Sequence, residues 1–199
     1  LELTEANGGT VTTITVGTAA DDPTIRKALA IGATDAVRVD AEAKDPYFVA
    51  KQIAAYAKAN SFDIVLTGKE TINYNGAQIG SMVAEMLDQP FVSLAQKLEV
   101  SGNTATLERD VPGGAEVVEV NTPFVLSAAK GMAEQRIPNM RGIMAARTKA
   151  LNVIPAVETA ELTSIVSYNM PPAKSECKYI DADNMSELVE LLHNEAKVI

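Results

Sequence analysis

The chain has 199 residues, of which 47% are hydrophobic, 22% charged and 5% aromatic. That length suits one α/β domain with appendages, and the apolar content excludes an intrinsically disordered chain. With 17 Lys+Arg against 26 Asp+Glu the formal net charge is −9; without a basic run, this excludes non-specific nucleic-acid binding driven by phosphate contacts.

One cysteine, Cys177, and one histidine, His193, are present. They exclude an intramolecular disulfide framework, a four-cysteine zinc site and a His-rich metal site. No apolar run approaches the roughly 20 residues of a membrane helix, and no signal peptide is recognisable. The expectation is a soluble protein of a reducing compartment, not membrane-embedded and poor in catalytic side chains.

In chain order, Leu1 to Ala6 reads as the last turns of a helix, stopped by Asn7-Gly8-Gly9. An upstream strand and loop are therefore expected to be missing from this chain. Val11 to Val16 is β-branched and reads as a buried strand ending at Gly17. Asp22-Pro23 supplies an N-cap and an N1 proline for a helix running to Ile31. Ala36 to Val39 is a short strand. Asp45-Pro46 starts a second helix with Val49, Ile53 and Ala57 on its buried face, and Ile64-Val65-Leu66 is the next strand. A polar loop from Gly68 to Asn75 leads into a third helix from about Gly76 to Leu87. Strands and helices alternating at this spacing predict a parallel sheet with helices on its faces. Such sheets bind ligands at the carboxyl ends of their strands, here after Val16 and Leu66.

Beyond Pro90 the pattern changes. Short strands at Lys97–Val100, Ala105–Val111, Val117–Val120 and Phe124–Ala128 are separated by Ser101-Gly102-Asn103 and Pro112-Gly113-Gly114 turns. They read as an antiparallel meander edging the sheet. Lys130 to Lys149 is a basic stretch carrying Met132, Met140 and Met144. Residues 1–150 form the predicted nucleotide-type domain, and 151–199 an extended arm with a final amphipathic helix. In that helix Asn184 and Glu187 have capping-box spacing. A long tail without its own core suits wrapping a partner.

Two loops could carry chemistry. Gly68-Lys-Glu-Thr-Ile-Asn-Tyr-Asn-Gly-Ala-Gln-Ile-Gly80 leaves a parallel strand and opens a helix, whose N-terminal N–H groups favour an anion. Gly76 and Gly80 allow close backbone approach, while Asn73, Asn75 and Gln78 offer neutral hydrogen-bonding groups. It lacks the glycine spacing of a P-loop. The plainer alternative is an ordinary strand–helix connection with an Asn cap. The second loop, Arg136 to Met144, contains Pro138 and Gly142 and exposes Met140 between two arginines, which suits an adaptable docking surface. Its alternative is a surface loop with methionines turned into the core. His193 reads as a solvated or interface residue, Cys177 as a free thiol, and Glu116/Glu119 as a solvated face. No catalytic residue and no metal ligand set is identified.

The two loops, in this order, resemble the small (beta) subunit of electron transfer flavoprotein, over about Val11 to Ile154. The resemblance is carried by Thr24 to Ala33, Val65-Leu-Thr-Gly-Lys-Glu-Thr-Ile72, Lys97-Leu-Glu-Val100, Glu108-Arg-Asp-Val-Pro-Gly-Gly-Ala-Glu116 and Ile143-Met144 followed by Ala145 to Lys149. It implies an adenine nucleotide alpha hydrolase-like fold and a heterodimer whose large (alpha) subunit holds most of the FAD. It further implies a structural AMP in this subunit and electron flow from acyl-CoA dehydrogenases to a membrane quinone oxidoreductase. The protein is then an electron carrier and not an enzyme, located in bacterial cytoplasm or mitochondrial matrix. Carried over by position, the nucleotide site comprises Val16, Gly68, Lys69, Ile72, Asn73, Tyr74, Asn75, Gly76, Ala77, Gln78 and Ile79. The docking loop comprises Arg136, Ile137, Pro138, Asn139, Met140, Arg141, Gly142, Ile143 and Met144, with Met140 at its tip. Many members have three consecutive aspartates where this chain has Asn73-Tyr74-Asn75, which leaves AMP and a second, bifurcating-type FAD both open. The rival readings are a nucleotide-hydrolysing protein and a homodimeric nucleotide-binding module of the same fold.

Overall fold

The computed structural model describes residues 1–174 and 176–199. By its contacts the chain divides into two compact units, Leu1–Ser164 and Ile165–Ile199. The first holds α1 (Glu2–Asn7), β1 (Thr12–Gly17), α2 (Asp22–Ile31), β2 (Asp35–Asp40), α3 (Pro46–Asn60) and β3 (Ile64–Gly68). It continues with α4 (Ile79–Leu87), β4 (Phe91–Ser101), β5 (Thr104–Val111), β6 (Gly114–Asn121), β7 (Phe124–Ala128), α5 (Met140–Ala146) and β8 (Leu151–Pro155).

The two Asp-Pro helix starts use different geometry. Asp45 caps α3 as its spacing predicts, accepting the Phe48 N–H at 2.7 Å with Pro46 in the first turn. At α2 the N-cap residue is Asp21, not Asp22. Asp21 folds back to accept the Thr18 N–H at 3.0 Å, which leaves Asp22 free to pair with Arg38 at 2.7 Å. Arg38 is 5% exposed and also donates to the Gly17 carbonyl at 3.0 Å and to Asp40. This network ties the carboxyl ends of β1 and β2 together.

The strands form a parallel sheet β1-β2-β8 and a five-stranded sheet β3-β7-β4-β5-β6. In the second sheet β4, β5 and β6 are the expected antiparallel meander. β7 departs from it, lying parallel between β3 and β4. Its Phe124-Val125-Leu126-Ser127 run is buried throughout, the signature of a strand covered on both faces. The Leu151 end of the predicted arm is likewise a strand, since β8 pairs with β2 in parallel. A third difference lies at Met140–Ala146, which reads as loop because of Pro138 and Gly142. It is a helix, capped by Asn139, whose Oδ1 accepts the Gly142 N–H at 2.8 Å.

Three apolar clusters fill this unit. α2 and α5 close around Ile25, Leu29, Ala36 and Ala146. α3 and α4 close around Ala50, Ala54, Val83 and Val125. The meander has its own cluster of Val92, Ala95, Ala105, Leu107, Phe124 and Leu126. After β8 the chain is fastened to α3. Gln52, 3% exposed, accepts the Val157 N–H at 2.7 Å and donates to the Val157 carbonyl at 3.0 Å. Asp45 accepts the Leu162 and Thr163 N–H groups at 2.6 and 2.9 Å.

Among the described residues β1 pairs only with β2, and β3 only with β7. Each therefore has one edge without a ladder, and Ile14 of β1 and Val65–Gly68 of β3 line the same cavity.

The second unit contains α6 (Met185–Glu190), which runs on into a wider π-helical turn at Leu191–Glu195. Asn184 does not cap it through its side chain; its Nδ2 donates instead to Glu187 at 2.7 Å. His193 Nδ1 lies 3.0 Å from the Ile199 carbonyl oxygen, and Cys177 is an exposed thiol. Large apolar side chains stand in solvent here, Val166, Met170 and Tyr179 each being more than 90% exposed.

Candidate functional site

The carboxyl end of β3 and the start of α4 enclose a cavity of about 280 Å³. Its wall is built by Ile14 and Ile53, by Val65–Gly68, by Glu70, Thr71, Gly76, Ala77, Ile79 and Gly80, and by Ser127 from β7. α4 reaches this wall because Gly80 lets it lie against the sheet. A Cβ there would stand 2.6 Å from Thr67 Oγ1 and 2.9 Å from the Phe91 ring.

The loop between β3 and α4 is organised by Thr71. Its N–H donates to the Gly76 carbonyl at 2.9 Å, its carbonyl accepts the Asn75 N–H at 2.8 Å, and its hydroxyl accepts the Gly76 N–H at 3.2 Å. Asn75 takes the left-handed conformation, φ 51°, that such a tight return needs. Gln78 precedes α4 and its side chain makes no cap bond to the first-turn N–H groups.

The predicted nucleotide residues divide into two sets. Gly68, Gly76, Ala77 and Ile79 line the cavity. Lys69, Ile72, Asn73, Tyr74, Asn75 and Gln78 do not, and Ile72 is fully exposed at the loop tip. Lys69 lies 3.6 Å from the carboxylate of its neighbour Glu70. Val16 is outside the wall as well, although Ile14, two residues earlier on the same strand face, belongs to it. Sequence reasoning did not single out Ile14, Ile53, Val65, Leu66, Thr67 or Ser127, while Glu70, Thr71 and Gly80 lie within the loop it picked. Only Thr67 carries a local signal, as the last polar position before the loop; Ser127 comes from a strand 60 positions away in sequence that packing brings alongside.

The second predicted loop presents an apolar patch. Ile137 is 84% exposed and Met140 73%, with Met144 and, to a lesser degree, Ile143 also in solvent. Met132 turns the other way and packs on the meander core. The flanking arginines are not alike. Arg136 gives its fork to Glu5, with N–O distances of 2.6 and 2.8 Å, while Arg141 is exposed. Below the patch α5 is seated on α2. A Cβ at Gly142 would lie 2.2 Å from the Ala30 carbonyl oxygen. Arg26 donates to the Ala146 and Lys149 carbonyls at 2.6 and 2.8 Å, and Lys149 returns bonds to Leu29 and Ala33 at 3.2 and 2.7 Å. Arg26 of α2 thus serves carbonyls at the end of α5 and just beyond it, and Lys149, just after α5, serves those at the end of α2 and just beyond it.

Among the described residues no cluster of His, Cys, Asp and Glu could hold a metal ion. No described helix is long and apolar enough to cross a membrane.

Comparison with known proteins agrees with this geometry. The family model "Electron transfer flavoprotein domain" matches residues 1–159. The electron transfer flavoprotein subunit beta of Bacillus subtilis is 35% identical, the alignment covering 100% of this chain and 83% of the relative. The proteins of the same name from Syntrophomonas wolfei and Sus scrofa are 33% and 32% identical, over 87% and 82% of this chain and 71% and 68% of theirs. With the match extending over both loops and the strands that support them, the chain belongs to the electron transfer flavoprotein family, on its beta-subunit side.

Proposed function

We propose that the chain is the small subunit of a heterodimeric carrier. It would pass electrons from flavin dehydrogenases of the acyl-CoA dehydrogenase type towards a quinone oxidoreductase. Membership of the family carries the coarser part of this statement, a flavin-linked electron carrier with an alpha-subunit partner. The partner holds most of the FAD, which supplies the redox chemistry when bound. This chain contributes binding and orientation.

The β3–α4 cavity is the place for AMP. Its volume of about 280 Å³ falls just below the range of ligand pockets, which starts at about 300 Å³. The uncapped N–H groups of the first turn of α4 suit a phosphate, and Gly68 leaves open space at the rim, with nothing within 4 Å of a Cβ built there. Glu70 is the one wall carboxylate, and it opposes a phosphate unless turned towards Lys69. The nucleotide holds the fold and takes no electrons. The observation that favours this over a hydrolase of the same fold is the character of the wall, which has no general base other than Glu70.

Two further pieces complete the reading. The exposed Ile137–Met144 patch docks to the donor dehydrogenase, and the extended residues from Ile165 onward lie along the partner subunit. The slot between β1 and β3 suits an extended segment, because among the described residues each of these strands has one edge without a ladder partner. The compartment follows the partners, bacterial cytoplasm or mitochondrial matrix.

The decisive experiment is mass spectrometry and absorbance of the ligands released from the purified heterodimer. AMP with one FAD is expected. Two FADs without AMP would make this a bifurcating type, and no nucleotide beyond one FAD would overturn the cavity assignment.

A further inference from the structure

The docking patch stands on a short segment without regular structure, Ala133 to Pro138, between Met132 in the meander core and α5. A flexible segment presenting Ile137 and Met140 would have to be ordered at each encounter, at about 0.5–1.5 kcal/mol for each immobilised side chain. On its α5 side the patch is fixed by the reciprocal caps with α2. On its other side the tie is Arg136, whose two guanidinium nitrogens meet both oxygens of Glu5 in α1. Glu2, one turn earlier on α1, lies 4.0 Å from the same guanidinium.

An exposed single-point ion pair is worth little, but a two-point fork between guanidinium and carboxylate adds geometric definition. This one immobilises the residue next to Ile137 and four before Met140. From this arrangement we infer that Arg136 is a positioning residue: clamped to Glu5, it holds Ile137 and Met140 in the conformation that a donor dehydrogenase meets. The inference rests on the docking reading of this loop, and it makes Glu5, on a different element, part of donor recognition without touching the donor.

The test uses the flavin-loaded heterodimer as electron acceptor for an acyl-CoA dehydrogenase, with KM for the heterodimer and kcat measured separately. Glu5→Gln and Arg136→Gln are each expected to raise KM about three- to tenfold, the effect of reordering one or two side chains, with kcat little changed. The exchanged pair Glu5→Arg with Arg136→Glu should recover most of the loss. Hydrogen exchange of the amides at positions 133–139 should be faster in Glu5→Gln and slow again in the exchanged pair. Arg136→Lys, which keeps the charge and loses the fork, should fall in between and serves if a larger change disturbs assembly. Loss in both single variants without recovery in the exchanged pair would place the Arg136 charge against the donor itself and overturn the clamp. Unchanged KM in the single variants, together with a slowed Met140→Ala, would also overturn it while leaving the docking reading intact. An unaffected Met140→Ala would remove the docking reading and the clamp's role with it.

Discussion

Gly142 and Gly80 are close-packed joints between elements. At Gly142 a methyl group would meet the Ala30 carbonyl oxygen at 2.2 Å, a backbone atom that cannot rotate away. Gly142→Ala is therefore expected to lower stability by about 1–3 kcal/mol, as overpacking does, read as a lower denaturant midpoint. Gly68→Ala adds its methyl to open space and should stay within about 0.5 kcal/mol of the parent. Gly80 shows what a sequence reading of glycine misses. Its spacing from Gly76 suggests room for a ligand, and it does line the cavity, but its neighbours Thr67 and Phe91 give the absent Cβ a second use in helix-on-sheet packing. Met132, Met140 and Met144 make the same point. Their spacing is compatible with core or surface, and only the packing of the meander decides that Met132 goes in and the other two go out.

At the scale of elements, Asp45 does two jobs with one carboxylate. One oxygen caps α3 and the other holds the chain at Leu162 and Thr163. Burial pushes its carboxyl up, but the N–H groups of Phe48, Thr163, Leu162 and Tyr47 outweigh this and hold it below its ordinary value of 3.8. A carboxyl lowered by folding contributes stability that is complete above 3.8 and disappears as the pH falls through its folded value. Protection of the Leu162 and Thr163 amides, relative to their intrinsic exchange at each pH, should accordingly fall in acid below that point, and Asp45→Ala should show the low protection already at neutral pH. The same variant should lose about 1 kcal/mol of stability with the cap. Gln52→Ala leaves the Val157 N–H without its partner, a loss of about 1–3 kcal/mol measurable by denaturant unfolding. The cap of Asp45 was legible, because Asp-Pro before an apolar stripe has one common meaning. Its second function was not, since 117 positions separate it from Leu162. The helix at Met140–Ala146 was half legible: Asn139 after Pro138 is a fair start signal, and Gly142 hides it until the close contact with α2 explains the glycine.

For the molecule as a whole, the alternation of strand and helix up to Leu87 gave the parallel architecture, because each connection there is local. The order of strands was less accessible. β7 reads as the last strand of a meander, yet it crosses into the centre of its sheet, and β8 returns to pair with a strand more than a hundred positions earlier. Nothing in a local pattern encodes such distant pairing. The slot between β1 and β3 makes its own prediction. With a strand in the slot, the edge amides of both strands should be protected from exchange in the heterodimer and should exchange quickly in the subunit alone. Equal protection in the two forms would count against a strand in the slot.

The strand edges also differ in how they are defended. β6, at the far end of its sheet, carries Glu116 and Glu119, side chains that discourage another strand from pairing with it. Along the slot, β1 offers Thr-Thr-Ile-Thr-Val and β3 offers Ile-Val-Leu-Thr, uncharged and β-branched apart from Leu66, which is more than half exposed. Two unguarded edges beside one gap make this face a template for unrelated extended segments, including those of newly made copies of the same chain. Production of the subunit at high concentration would then be limited by clumping rather than by folding. A single lysine at Leu66 should keep more of it in the supernatant, at the expense of the very surface on which the sheet is meant to close.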